Sequence, residues 1–141
     1  MEKKGRWIPL AQKSDYELYF NECEWLEQMF DRCVSIQELK LLKERHVFNC
    51  KTNHKGVVRD HMYSRRSGFE YKVFPEILRH PCNCQLITHS DNSKKREQND
   101  VTLNELFLQI QMYKREWLEQ KKCLELIKEY KKGRRWKRVE M

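Results

Sequence analysis

The sequence predicts a small α+β domain: a β-hairpin and a following helix, with a long loop inserted between the strands, flanked by N-terminal helices and a long C-terminal helix. Three observations carry this expectation. The length, 141 residues, is that of one domain. Apolar and aromatic residues recur at helical spacing towards both ends of the chain. Between them lie short runs of strand character, "GVVRDH" and "CQLIT", bounded by turn-forming residues. The expected organisation is one domain, 1–141, in three parts: helices over 1–45, the hairpin-and-helix core over 46–98, and a basic helix with its tail over 99–141.

Residues 15–31 place Tyr16, Tyr19, Phe20, Cys23, Leu26 and Phe30 on one helical stripe. The simplest use of that stripe is core packing. Ser35 and Glu38 have the spacing of a capping box, which starts a second helix running to about residue 45. "HVFNC" and "GVVRDH" read as short strands around a turn at "TNHKG". Residues 62–82 show no period, contain Gly68, Pro75 and Pro81, and read mainly as an ordered loop. A loop that long in a small domain is usually functional. "CQLIT" is the next strand, and "SDNSKKREQ" suits a helix with Ser90 or Asp91 as its cap. Thr102 and Glu105 form a further capping box, opening a helix over 103–132 that Gly133 stops. Its Leu103, Leu106, Ile110, Tyr113, Trp117, Leu124 and Ile127 fall on a heptad pattern, interrupted at Gln120. Such a seam serves either an intramolecular contact or a homodimer through this helix. The tail "KKGRRWKRVEM" either tracks phosphates or frays.

Charged residues make up 35% of the chain and the net charge is +8. The balance is −1 over 1–45, +4 over 46–101 and +5 over 102–141. A basic middle and end suit a polyanion, nucleic acid first and an anionic membrane surface second. No run approaches the ~18–20 apolar residues of a membrane span, and none has the form of a signal peptide, so a cytoplasmic protein without a membrane partner is expected. In that compartment the six cysteines are thiols or metal ligands rather than disulfides. With only four glycines, the chain has no Walker-type loop and no dinucleotide fingerprint.

The chemistry concentrates in the centre. One strand ends in Asp60-His61, the next is entered through Asn83, and a helix carries Asn92. If the strands pair and the helix folds back across them, Asp60, His61 and Asn92 converge. A carboxylate and a carboxamide offer oxygen ligands to a hard cation such as Mg²⁺. An imidazole titrates near 6.5 and can take a proton from water. The reaction class this grouping supports is phosphodiester hydrolysis.

Asp60-His61, then Asn83-Cys84-Gln85-Leu86, then Asn92-Ser93-Lys94-Lys95, in that order and spacing, resembles the HNH (ββα-metal, His-Me finger) nuclease signature. The stretch from Asp60 to Lys95 is similar in particular to phage-encoded HNH homing endonucleases. The resemblance covers about residues 46–98. It implies a ββα-metal core and a metal-dependent DNA endonuclease using Mg²⁺ or Mn²⁺. It implies Asp60 and Asn92 as metal ligands, His61 as the base that activates water, and Asn83 as the residue that fixes the loop and the orientation of His61. A non-catalytic DNA-binding protein that keeps the scaffold is the alternative.

Many proteins of this family hold a structural zinc through two CxxC pairs, and this chain has no CxxC. Cys50, His54, Cys82 and Cys84 are the candidates for a Zn²⁺ site of another form; plain thiols are the other reading. Candidate phosphate contacts are Arg59, Arg65, Arg66, Lys72, Arg79, Lys94, Lys95 and Arg96, which would give affinity rather than sequence choice.

Overall fold

β1 (Val57–His61) and β2 (Cys84–Thr88) form a two-stranded antiparallel sheet, with Val57 opposite Thr88 and His61 opposite Cys84. This is a computed structural model, and it describes residues 13–32 and 35–138. Cys33 and the last three residues of the basic tail lie outside the described residues. Around the sheet stand α1 (Lys13–Glu22), α2 (Ile36–Arg45), α3 (Arg65–Glu70), α4 (Pro75–Leu78), α5 (His89–Lys95), α6 (Leu103–Gln111) and α7 (Gln120–Lys131). The mixed helix-and-strand class matches the expectation. α5 leaves β2 directly and packs back on both strands.

The main core is helical. Tyr19, Phe69, Ile77, Leu78, Leu106, Ile110 and Ile127 bring α1, α3, α4, α6 and α7 together. Tyr19 is fully buried, and its hydroxyl donates to the Val73 carbonyl at 2.6 Å. α3 approaches this core so closely that a Cβ at Gly68 would lie 2.4 Å from Leu78 Cδ2 and 2.5 Å from the Tyr19 hydroxyl. Only glycine fits there without displacing a core side chain.

Several boundaries differ from those the sequence predicts. The N-terminal helix ends at Glu22, not near residue 31. Long-range donors explain the stop: Arg79 donates to the Glu22 carbonyl at 2.9 Å, and the His61 ring bonds the Cys23 carbonyl at 3.0 Å. Terminal carbonyls captured from outside need no continuing helix. "HVFNC" forms isolated bridges rather than a strand. The 62–82 segment is not mainly loop, because it contains α3 and α4. α5 is capped by Thr88, whose side chain accepts from the Asp91 N–H, so neither Ser90 nor Asp91 is the cap. Ser35 caps α2 as expected, but the Glu38 carboxylate reaches the Leu86 N–H at 2.8 Å.

The largest difference lies in the helix expected over 103–132. It opens with the Thr102–Glu105 capping box but breaks after Gln111 and restarts at Gln120. Arg32 enters the break, donating to the Tyr113 hydroxyl at 3.1 Å and the Glu116 carbonyl at 2.9 Å, with its guanidinium over the Trp117 ring. Gln120, the residue that interrupts the heptads, donates from Nε2 to the Ile110 carbonyl. The break folds α7 against α6, and the seam residues Leu106, Ile110 and Ile127 enter this chain's own core. Gly133 does end α7: at φ +101°, its N–H bonds the Tyr130 carbonyl while the Arg134 N–H bonds that of Glu129, the Schellman arrangement. The described part of the tail, 134–138, packs back on the helices. Trp136 packs edge-on to Tyr19 with ring centres 5.0 Å apart, and its N–H donates to the Lys72 carbonyl at 2.8 Å.

Candidate active site

Asp60 and His61 are the last two residues of β1, and the pleat sends their side chains to different partners. Asp60 lies opposite Gln85 in the register, so the two side chains share a face; Gln85 Nε2 donates to Asp60 Oδ2 at 2.8 Å. Lys95, from the last turn of α5, forms an ion pair with the same Oδ2. Its ammonium also donates to the His61 carbonyl at 2.8 Å and pairs with Asp100 at 2.8 Å. The Asp60 carboxylate is therefore held by α5 from one side and by β2 from the other.

His61 is held by a segment that the sequence motif does not contain. Its ring stacks on Trp25 with centres 4.1 Å apart and planes 13° from parallel. Nε2 lies 3.0 Å from the Cys23 carbonyl. A carbonyl only accepts, so in the neutral ring Nε2 carries the proton and Nδ1 carries the lone pair. No described side chain or backbone group donates to Nδ1. Burial, followed by the nearby Arg65 guanidinium, pushes the His61 pKa down to about 3. The ring is thus neutral throughout the physiological range, with its basic atom fixed.

Asn83 is fully buried where the 62–82 segment returns to the sheet. Its Oδ1 accepts from the Tyr63 N–H at 2.7 Å, and its Nδ2 donates to the carbonyls of Leu78 and Tyr63 at 2.9 and 3.1 Å. Its own carbonyl accepts from the Met62 N–H at 2.8 Å. It fastens both ends of the segment that leaves His61.

Asp60, His61 and Asn92 line one open cleft of about 660 Å³, walled by Tyr16 and Phe20 of α1, Arg65 and Arg66 of α3, and Arg96 just after α5. Arg59 lines it too, with its guanidinium over Phe30. Arg65 stacks over Phe20 and pairs with Glu24 at 2.9 Å. Four of the candidate phosphate contacts are thus at the cleft, while Lys94 is an exposed residue of the same helix α5. Lys95 is committed to Asp60 and Asp100. Lys72 and Arg79 are placed elsewhere: the Lys72 ammonium sits over the Phe69 ring, and Arg79 makes a two-pronged, largely buried pair with Glu119. Both cations serve packing, because each is already matched to a partner in the helical layer.

A larger cleft of about 770 Å³, mainly apolar, is lined by Leu41, Cys82, Cys84, Met112 and others and contains none of Asp60, His61 and Asn92. The zinc candidates are not gathered into one site. The His54 ring bonds the backbone carbonyl of Cys50 within the 46–56 turn, whereas the Cys82 thiol donates to the Gln109 carbonyl at 3.4 Å. Among the described residues, no three His, Cys, Asp or Glu side chains form a metal-holding group. Burial raises the Cys82 thiol to about 11 and that of Cys23 to about 12, so both stay protonated near neutral pH. Trp25, Gln85 and Asp100 are the site residues that sequence reasoning missed. Gln85 lies inside the motif, whereas Trp25 and Asp100 carry no local signal.

No protein family, curated protein or solved structure matches the chain. Among the described residues, no helix is long and apolar enough to cross a membrane.

Proposed function

We propose that this chain is a metal-dependent HNH endonuclease that hydrolyses DNA phosphodiester bonds, of the phage homing type, with β1, β2 and α5 as its ββα-metal core. The observation that carries this reading is the single cleft that gathers Asp60, His61 and Asn92 among Arg59, Arg65, Arg66 and Arg96. Asp60 and Asn92 both line this cleft and offer oxygen donors of the kind Mg²⁺ or Mn²⁺ takes; a cation there would replace the Lys95 ammonium as the partner of the Asp60 carboxylate. A divalent cation bound by these two residues would stabilise charge on the scissile phosphate and the leaving oxygen.

The protein's own groups do the rest. The cleft arginines hold the phosphates on either side of the bond. His61 receives the proton of the attacking water at Nδ1, because Nε2 is occupied by the Cys23 carbonyl. The burial that keeps His61 neutral also makes it a weak base; a phosphate anion entering the cleft favours the imidazolium and offsets this. Asn83 keeps the strand end in place. One such site cuts one strand, so a double-strand break takes two events or two copies.

The Asp60–Lys95 pair supports a second reading, a DNA-binding scaffold that does not cut, with Lys95 standing in for the cation's charge. His61→Ala tests the first reading. Cleavage is expected to fall by about 10²–10⁴ while affinity for the same DNA survives. Full cutting by the variant sinks the assignment, and a wild-type chain that binds but never cuts supports the second reading.

A further inference from the structure

The C-terminal tail is the strongest basic stretch of the chain. Lys131, Lys132, Arg134, Arg135, Lys137 and Arg138 stand within eight consecutive residues that contain no acid. All six are exposed, while Trp136 in their midst is half-buried. The tail lies against the helices that wall the cleft. Trp136 meets Tyr19 of α1 and Phe69 of α3, with ring centres 5.0 and 6.4 Å away. Arg138 pairs with Asp15 of α1 at 2.8 Å. The next residue, Tyr16, lines the cleft and packs on Phe69, and α3 begins with the cleft residues Arg65 and Arg66. Cleft and tail are thus two borders of the same pair of helices.

A free basic tail would search solvent and lose conformational entropy on binding. This one is already positioned by an aromatic contact, so its charges are preorganised. We propose that the docked tail continues the arginine-lined cleft as a phosphate-binding track for nucleic acid that extends beyond the cleft, with Trp136 as its anchor. The proposal deepens the nuclease reading and rests on it for the placement of DNA in the cleft. The chemistry recognised is a run of phosphates, contacted without regard to base sequence.

The test is fluorescence anisotropy in chelator, so that nothing is cut, with the full chain and duplexes of about 8 and about 30 base pairs, roughly 27 and 100 Å long. Lys132→Gln, Arg134→Gln and Lys137→Gln are combined; none of these residues is placed at the cleft. The expected result is a loss of at least about tenfold in affinity for the long duplex, with a salt slope shallower by about 2–3. The short duplex should bind as before. Trp136→Ala, which keeps every charge, should weaken long-duplex binding and leave that slope unchanged, with a melting curve to verify folding. Equal losses on both duplexes, or none on either, overturn the proposal. So does a triple variant that loses binding to anionic phosphatidylserine vesicles but not to DNA. Failure of the nuclease reading shows separately, as absence of Mg²⁺-dependent cutting by the unaltered chain.

Discussion

Two histidines sit on opposite sides of the same chain segment and look alike by burial. His61 closes β1, and His80 follows α4. Burial is the first cause of the lowered pKa in each, to about 3 for His61 and about 4 for His80. Their hydrogen bonds differ. His80 uses both ring nitrogens: Nδ1 accepts from the Cys82 N–H at 3.0 Å, and Nε2 bonds Gln120 Oε1 at 2.6 Å. Tyr113 and Trp117 close around it, and it has no exposed surface. His61 uses one nitrogen and lines an open cleft. A perturbed pKa marks both, so it does not identify a base. A ring nitrogen with no donor of its own, on a histidine that lines an open cleft, is what the proposed role of His61 as base requires.

The largest expected effect separates the two by substitution. His61→Ala should lower the cleavage rate by about 10²–10⁴, the usual worth of a general base. His80→Ala should leave the rate per folded molecule unchanged and cost about 2–4 kcal/mol of stability, from the cavity and the orphaned partners. Cleavage assays and denaturant melts on both proteins decide this. If His80→Ala abolished cutting in a fully folded protein, the comparison would fail.

Acid should act on both rings together. Unfolded histidine titrates near 6.5, so as pH falls the unfolded chain takes up protons before the folded one does. The stability contributed by the neutral, buried rings is complete above about pH 6.5 and drains away as the pH falls towards 4 and then 3. Melting temperature against pH should be level around neutrality and decline by several degrees below about 6. A level profile down to pH 4 would show that the rings are not buried neutral.

Gln120→Leu sharpens the structural half of the comparison. It removes the acceptor of His80 and the donor to the Ile110 carbonyl, and should cost about 1–3 kcal/mol in a denaturant melt without altering cleavage. Trp25→Ala sharpens the catalytic half. Losing the ring that holds His61 should lower kcat about tenfold with little change in KM, and Trp25→Phe should restore most of it. On a His61→Ala background the same change should have no further effect on rate, because nothing remains to be positioned.

How far the sequence reaches depends on whether a partner is local. Asp60, His61 and Asn83 lie at strand ends whose bounds follow from β-branched runs and turn residues, and β2 is the five-residue segment "CQLIT" itself. The Thr102 and Ser35 caps were equally legible, because a cap is written within four residues. The failures come from distant donors. Nothing near residue 22 announces that Arg79 will end α1, and nothing near 112 announces Arg32. Gln120 gave the one warning, a polar residue on an apolar seam. Trp25 shared the aromatic texture of its surroundings, and its place on His61 depends on a helix stop the local pattern does not contain.

The most direct measurement is incubation of supercoiled plasmid with the purified chain and Mg²⁺, with and without chelator. Conversion to nicked or linear DNA that chelator prevents, and that Asp60→Ala cannot perform, is the expected result. Plasmid that stays supercoiled with Mg²⁺ or Mn²⁺ while remaining bound by the protein would contradict a nuclease at this cleft.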